Sequence, residues 1–300
     1  MGSMPEMPRV SVIVPVFNQG DDLLHCLAAL ERQTYPADRF EVIVVDNGSD
    51  PPIGLAAGRF PLVRVIAEPA PGSYAARNRG IEASHGELLA FTDADCLPAP
   101  DWIECGVRAV QRLPRAGMVA GEIELTFRDP DKRTAVELFE TILGLRQELF
   151  LTWGFGATAN LFTSRATVDQ IGPFDPRLKS GGDMEWGQRL RAAGLAQEYG
   201  PDARVFHPAR RTLAQIWRKS IRVAGGFQQV ADQRGEGMSG LLANAVRQLI
   251  LLRHIRAHIA DPRLGTVENR LKFASVLWLV ELVRMCERCR VHWGGRPTRV

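Results

Sequence analysis

The chain is short of cysteine, short of acidic residues in its last third, and without an apolar run long enough to cross a bilayer. Its five cysteines, Cys26, Cys96, Cys105, Cys286 and Cys289, are odd in number and not spaced as a disulfide framework. That argues against a disulfide-stapled secreted scaffold and for reduced thiols in a cytoplasmic setting. Cys286 and Cys289 form a lone C-x-x-C with no second ligand pair, so they read as two cysteines one turn apart on a helix. The longest apolar stretch near the end, Phe273 to Val283, is interrupted by Ser275 and Glu281. A spanning helix needs about 20 apolar residues, which argues against a membrane span. Val10 to Val16 is too short, and lacks the basic lead-in, to act as a signal peptide. Residues 1–8 read as a tag remnant and disordered start.

The scarcity of acids is local. Residues 204–300 hold 18 of the 37 Lys+Arg and 6 of the 34 Asp+Glu, a net +12, against 19 and 28, a net −9, before them. A basic last third suits an anionic contact such as phosphates or acidic lipid heads, and equally the solvated faces of helices. Composition is otherwise that of a globular protein, 45% hydrophobic and 24% charged in 300 residues. No repeat or low-complexity segment is evident.

What is present is a β-α-β alternation. Val10–Pro15, Glu41–Asp46, Leu62–Ile66 and Leu88–Phe91 read as strands, the first two rich in β-branched residues. Asp21 or Asp22 is expected to cap a helix using Leu23, Leu24, Leu27 and Leu30, and a second helix is expected over Ser73–Ser84. Such alternation predicts an α/β fold with a mostly parallel, mixed sheet flanked by helices. Further on, the patterns predict helices over Asp101–Leu113, Thr134–Phe150 and Asp183–Ala193, strands over Met118–Leu125 and Ala203–Phe206, and a helical extension from Leu213. The expected organisation is a catalytic domain over 9–210 and a basic, mainly helical region over 211–300.

In sheets of this kind ligands bind beyond the carboxyl ends of the strands. Phe17-Asn18, Asp46-Asn47 and Asp93-Ala94-Asp95 all lie at such ends and should converge. Asp93 and Asp95, two apart, can share a hard divalent cation, Mn²⁺ or Mg²⁺, with diphosphate oxygens. A D-x-D pair in isolation is also an ordinary solvated strand end; its place where the crevice should open favours the metal.

Val10-Ser-Val-Ile-Val-Pro-Val-Phe-Asn18, Val44-Val-Asp-Asn-Gly-Ser49, Ala76-Arg-Asn-Arg-Gly80 with Gly86-Glu87, and Thr92-Asp-Ala-Asp95 occur in that order. Together they closely resemble the family 2 glycosyltransferases of GT-A fold, over roughly residues 10–207. The resemblance implies inverting transfer of a hexosyl or N-acetylhexosaminyl group from a nucleoside-diphosphate sugar, a UDP-sugar in the first instance. The acceptor would be a saccharide or a lipid-linked group in polysaccharide or glycoconjugate synthesis. It also implies that Asp46 contacts the base, Asp93 the ribose or sugar, and Asp95 the metal, with Pro15, Phe17 and Asn18 bordering the nucleoside.

Arg77 and Arg79 flank Asn78; at about 100° per residue they point some 200° apart, so one of them, Arg77, is expected to reach the donor. An inverting transfer needs a base for the acceptor hydroxyl. Asp183, in Gly181-Gly-Asp-Met-Glu-Trp186, is the expected base, although the family pattern there is Glu-Asp and this chain has Gly182-Asp183. Glu185 is the substitute, and a plain helix N-cap the alternative role of Asp183. The family often places a metal-binding histidine where His207 stands, and a basic segment closing on the diphosphate where Arg218, Lys219, Arg222 and Gly225-Gly226 stand. Gly154-Phe-Gly-Ala-Thr-Ala159 fits a dinucleotide fingerprint but lies mid-chain, away from the first strand. It reads better as a wall near the sugar, with Trp153, Asn160 and Trp186 as candidate sugar contacts.

A nucleotidyltransferase would show a glycine-rich basic loop after the first strand, and Pro15–Gly20 offers none. A non-catalytic carbohydrate- or nucleotide-binding module has no use for Asp93, Asp95 and Asp183 together. Nucleic acid is not an expected partner. Leu242, Val246, Leu249, Ile250 and Ile255 follow a helical stripe, and with Phe273–Val283 they admit two readings. One is packing, on the catalytic domain or as a homodimer; the other is peripheral contact with an anionic membrane.

Overall fold

Strands β1 (Val10–Val16), β2 (Phe40–Asp46) and β4 (Leu88–Thr92) are buried almost throughout in the computed structural model, which describes residues 7–53, 59–236 and 255–296. Near-continuous apolar runs suit parallel strands covered on both faces. With β3 (Val63–Ala67), β5 (Leu97–Pro98), β6 (Gly117–Thr126), β7 (Asn160–Ser164) and β8 (Ala196–Pro208) they form one eight-stranded sheet of order β3-β2-β1-β4-β7-β6-β8-β5. β1 runs parallel to β2 and β4, and β2 to β3. β7 is antiparallel to β4 and β6, and β5 to β8. The sheet is therefore mixed, flanked by helices, and its parallel block aligns the ends of β1, β2 and β4.

Two units make up the chain: Met1–Glu124, Arg146–Arg177 and Gly182–His207 in the first, and Leu125–Leu145, Leu178–Gly181 and Pro208–Val300 in the second. In the first, α1 (Gly20–Glu31) buries Leu23, Cys26, Leu27, Ala29 and Leu30. It is joined by α2 (Ser73–Ala83) and α3 (Trp102–Gln111). α2 lies so close to β1 that a Cβ on Gly80 would sit 2.5 Å from the Ile13 side chain. That contact explains the glycine that ends the Ala76–Gly80 motif.

The second unit contains α4 (Ala135–Leu143), α8 (Leu213–Gln233), α9 (Ile255–Ile259) and the long α10 (Val267–His292). Its core is Val136, Leu138, Phe139 and Ile142 of α4 with Ile216, Leu264, Phe273, Val276, Leu277 and Val280. Beneath it Glu140, almost fully buried, takes Lys219 Nζ at 2.8 Å and Arg210 Nη1 at 3.0 Å. Of the apolar stripe expected near the end, Ile255 packs at the edge of this core, while Leu242, Val246, Leu249 and Ile250 lie outside the described residues. Among the described residues no helix is long and apolar enough to cross a membrane.

Three expectations need correction. α1 starts at Gly20 behind Gln19 with no side-chain cap, so Asp21 and Asp22 sit in its first turn, where negative charge suits the helix dipole. The single helix expected over 134–150 is two, α4 and α5 (Gln147–Thr152). At the break, a side chain on Gly144 would collide with the Glu140 carbonyl at 2.4 Å, and Gln147 turns its amide inward to Ala157 and Asn160. The strand expected over 203–206 runs from Ala196 to Pro208. β7 and the helix after it, α6 (Arg165–Ile171), were not anticipated as elements.

Candidate active site

The ends of β1 and β2 are tied to each other by polar groups. The Asn47 N–H donates to Val16 O, the Asn18 N–H to Ser49 Oγ, and the Asp50 N–H to Asn18 Oδ1. Asn18 itself is in the left-handed region, φ 55°, which asparagine tolerates. Asp46, nearly buried, accepts the N–H groups of Ser49 and Ile53, so it shapes the loop after β2. Phe17 is exposed at the same rim. The turn after β4 carries Asp93 and Asp95, both partly exposed.

Arg77 reaches this turn from α2. It is buried, its Nη2 lies 2.5 Å from Asp93 Oδ1, and its guanidinium stands 5.7 Å from the centroid of the Tyr74 ring. Arg79 points away, exposed, toward Glu82, as the 200° separation requires. Asn78 clamps the Phe174 backbone, accepting its N–H and donating to its carbonyl.

Asp183 lies in the first turn of α7 (Gly182–Ala192), inside the helix and not at its cap. Its Oδ1 accepts the Met184 N–H at 2.9 Å and the Tyr74 hydroxyl at 3.2 Å. A Cβ on Gly182 would lie 2.6 Å from the Tyr74 ring, so glycine there permits this approach. Burial pushes the Asp183 carboxyl above its ordinary range; Arg77, the Met184 N–H and the Tyr74 hydroxyl pull it back, and Asp93 adds to the rise. Tyr74 was not anticipated. Its signal was its place one turn before Arg77 on the same helix face.

On the other side of the turn, His207 at the end of β8 brings Nε2 to 3.6 Å from Asp95 Oδ2. Asp95, Cys96 and His207 each offer a ligand atom, all within 4.8 Å of one another. A carboxylate and an imidazole fit a borderline-hard divalent cation such as Mn²⁺. Burial, with Asp93 and Asp95 nearby, holds the Cys96 thiol well above its usual range, so the fitting pair is Asp95 and His207.

Most of the other expected contacts have partners within the protein. Trp186 is fully buried against Phe174 and donates its indole N–H to Gly172 O. Asn160 is likewise buried, accepting from Trp102 and donating to the Glu122 and Ala203 carbonyls. Glu185 is gripped by Arg189 at 2.6 Å. Trp186 and Asn160 are thus core residues, and Glu185 is an ion-pair residue. Trp153 is exposed, near the rings of Phe150 and Phe155. In the second unit Lys219 is committed to Glu140, and Arg222 donates to Ser180 Oγ.

Comparison with known proteins accords with this geometry. Glycosyl transferase family 2 matches residues 11–172. Glycosyltransferase AglE of Haloferax volcanii is 38% identical over 230 residues, covering 75% of this chain and 74% of that protein. An N-acetylglucosaminyltransferase of Rhizobium meliloti is 27% identical over 237 residues, 73% of this chain and 55% of its own length. Among solved structures, the mannosyltransferase PcManGT from Pyrobaculum calidifontis, in complex with GDP-Man and Mn²⁺, shares the fold with a TM-score of 0.66, at 21% identity, over 96% of this chain and 88% of that one. The chain belongs to glycosyl transferase family 2 and is a nucleotide-sugar glycosyltransferase of that family.

Proposed function

We propose that the chain transfers a hexosyl or N-acetylhexosaminyl group with inversion, Asp183 acting as general base and Asp95 with His207 as the metal-binding pair. The observation that carries this reading is one connected set of polar and cation–π contacts. Asp183 is held by Tyr74, Tyr74 packs under Arg77, and Arg77 pairs with Asp93 of the D-x-D turn. Carboxylates of the donor motif and of the base thus share a buried cation.

In the proposed step the acceptor hydroxyl gives its proton to the Asp183 carboxylate while its oxygen attacks the anomeric carbon. The bond from that carbon to the diphosphate breaks, and the electron pair leaves with the diphosphate. Desolvation raises the basicity of Asp183, and the N–H and hydroxyl donors fix which oxygen faces the acceptor. A divalent cation held by Asp95 and His207 would supply positive charge to the leaving diphosphate. Phe17, Asn18 and the Asp46 loop border the nucleoside, with Pro15 in the strand beneath.

Relatives include an N-acetylglucosaminyltransferase and a structure holding GDP-Man, so UDP- and GDP-sugars form the two arms of the donor screen. Asp183→Asn should lower transfer by about 10²–10⁴-fold with donor binding retained. Transfer at the parent rate by the purified variant overturns the base assignment. A chain that binds donor but never transfers or hydrolyses it would be a binding module instead.

A further inference from the structure

The long helix α10 has two apolar faces, and the core uses one of them. Phe273, Val276, Leu277, Val280 and Val283 are buried. Opposite them, Val267, Leu271, Trp278, Leu282 and Met285 are between 42% and 72% exposed. At 100° per residue these five fall within about 60° of one another, a single stripe along the helix. Trp293, just past its end, is 74% exposed. A stripe of this extent, carrying aromatic and long aliphatic side chains, is more than the scattered single apolar residues of an ordinary surface.

Cations border the stripe on both sides. Arg270 and Arg288 lie about 90° to one side of it, and Lys272 and Arg290 about 110° to the other. Lys272 and Arg290 pair with Glu268 and Glu287 of the same helix. Counted over the whole helix, Arg270, Lys272, Arg284, Arg288 and Arg290 stand against Glu268, Glu281 and Glu287, a net +2. Long cationic side chains beside an apolar stripe can lie along it with their heads at the polar boundary. The excess charge also decides between occupants. A second copy docking symmetrically through this face would bring two positively charged helices together, whereas an acidic lipid surface would neutralise one.

We propose that the exposed face of α10 docks the protein on an anionic lipid bilayer, its apolar stripe entering the headgroup boundary and its flanking cations meeting the acidic heads. The surface is independent of the transfer chemistry, so its failure leaves the Asp183 assignment untouched.

Co-sedimentation of the full chain with vesicles of phosphatidylglycerol and phosphatidylcholine, and with pure phosphatidylcholine, tests this. Binding to the acidic vesicles is expected, weaker in high salt and weak on neutral ones. The double substitution Trp278→Glu and Leu282→Glu should reduce the bound fraction roughly tenfold or more, since each removed side chain forfeits its burial. Both positions are exposed, and circular dichroism melts confirm that the variant folds. Replacing Arg270, Lys272, Arg288 and Arg290 with glutamine gives an independent arm that spares the apolar stripe and should also weaken binding. The idea is overturned if the parent stays in the supernatant with acidic vesicles, or if the double variant binds as well as the parent. It is also overturned if, without lipid, the parent forms a concentration-dependent dimer that the double variant abolishes.

Discussion

Burial works against the charge of Asp183. Its carboxyl is raised above the ordinary 3.8, so between that value and the raised one the folded protein binds more protons than the unfolded chain. Stability contributed by this group is therefore present at low pH and lost as pH rises through that window. Asp183→Asn should raise Tm near pH 7, an advantage that shrinks as pH falls toward 4, checked by calorimetry across that range. Removal of the proposed base would thus trade activity for stability. Tyr74 works in the opposite sense, since its hydroxyl favours the charged form of Asp183. Tyr74→Phe should move the acidic limb of the kcat profile to higher pH while donor KM stays near the parent value. A profile that does not shift would assign Tyr74 to packing alone.

At the scale of elements, Glu140 of α4 joins α8 through Lys219 and the segment before it through Arg210. Burial works against the Glu140 charge, but Lys219 and Arg210 outweigh it and hold the carboxyl down at about 2, against an ordinary 4.5. The stability from this pairing is present above pH 4.5 and lost as pH falls from there to about 2. Glu140→Gln should cost about 3 kcal/mol at pH 7, because Lys219 and Arg210 lose their buried counter-charge. Urea midpoints from pH 6 to 3 should then show a flatter acid dependence than the parent. The same scale shows what was legible. β1, β2 and β4 were read because strands buried on both faces are continuous apolar runs, and their ends located Asn18, Asp46 and Asp93. The break between α4 and α5 was hidden because apolar periodicity continues across Gly144. β7 was hidden because Asn160–Ser164 is short and mixed in polarity, and its pairing partners lie far away in the chain. The burial of Trp186 and Asn160 was hidden for a related reason: polar atoms satisfied inside a core carry no mark in the sequence. The nearness of Asp95 to His207 came from family likeness, since nothing local joins residues so far apart.

For the whole molecule, a nucleotide sugar that binds only the folded chain must raise its melting point by mass action. At a hundredfold excess over Kd the gain is about 2.7 kcal/mol. With Mn²⁺ present the shift should exceed that in chelator, and Asp95→Ala should erase the difference, as read by differential scanning fluorimetry. The other whole-molecule feature is how the second unit is gathered, from Leu125–Leu145, Leu178–Gly181 and Pro208–Val300. Its core places Val136, Leu138, Phe139 and Ile142 of α4 against Phe273, Val276, Leu277 and Val280 of α10. A gene stopped after codon 210 would still encode α4 but none of the helix that shelters it, and its product would emerge from the ribosome with a bare apolar face. The basic helical region is thus no detachable appendage: recombination could exchange it between homologues only by carrying two internal inserts along with the tail.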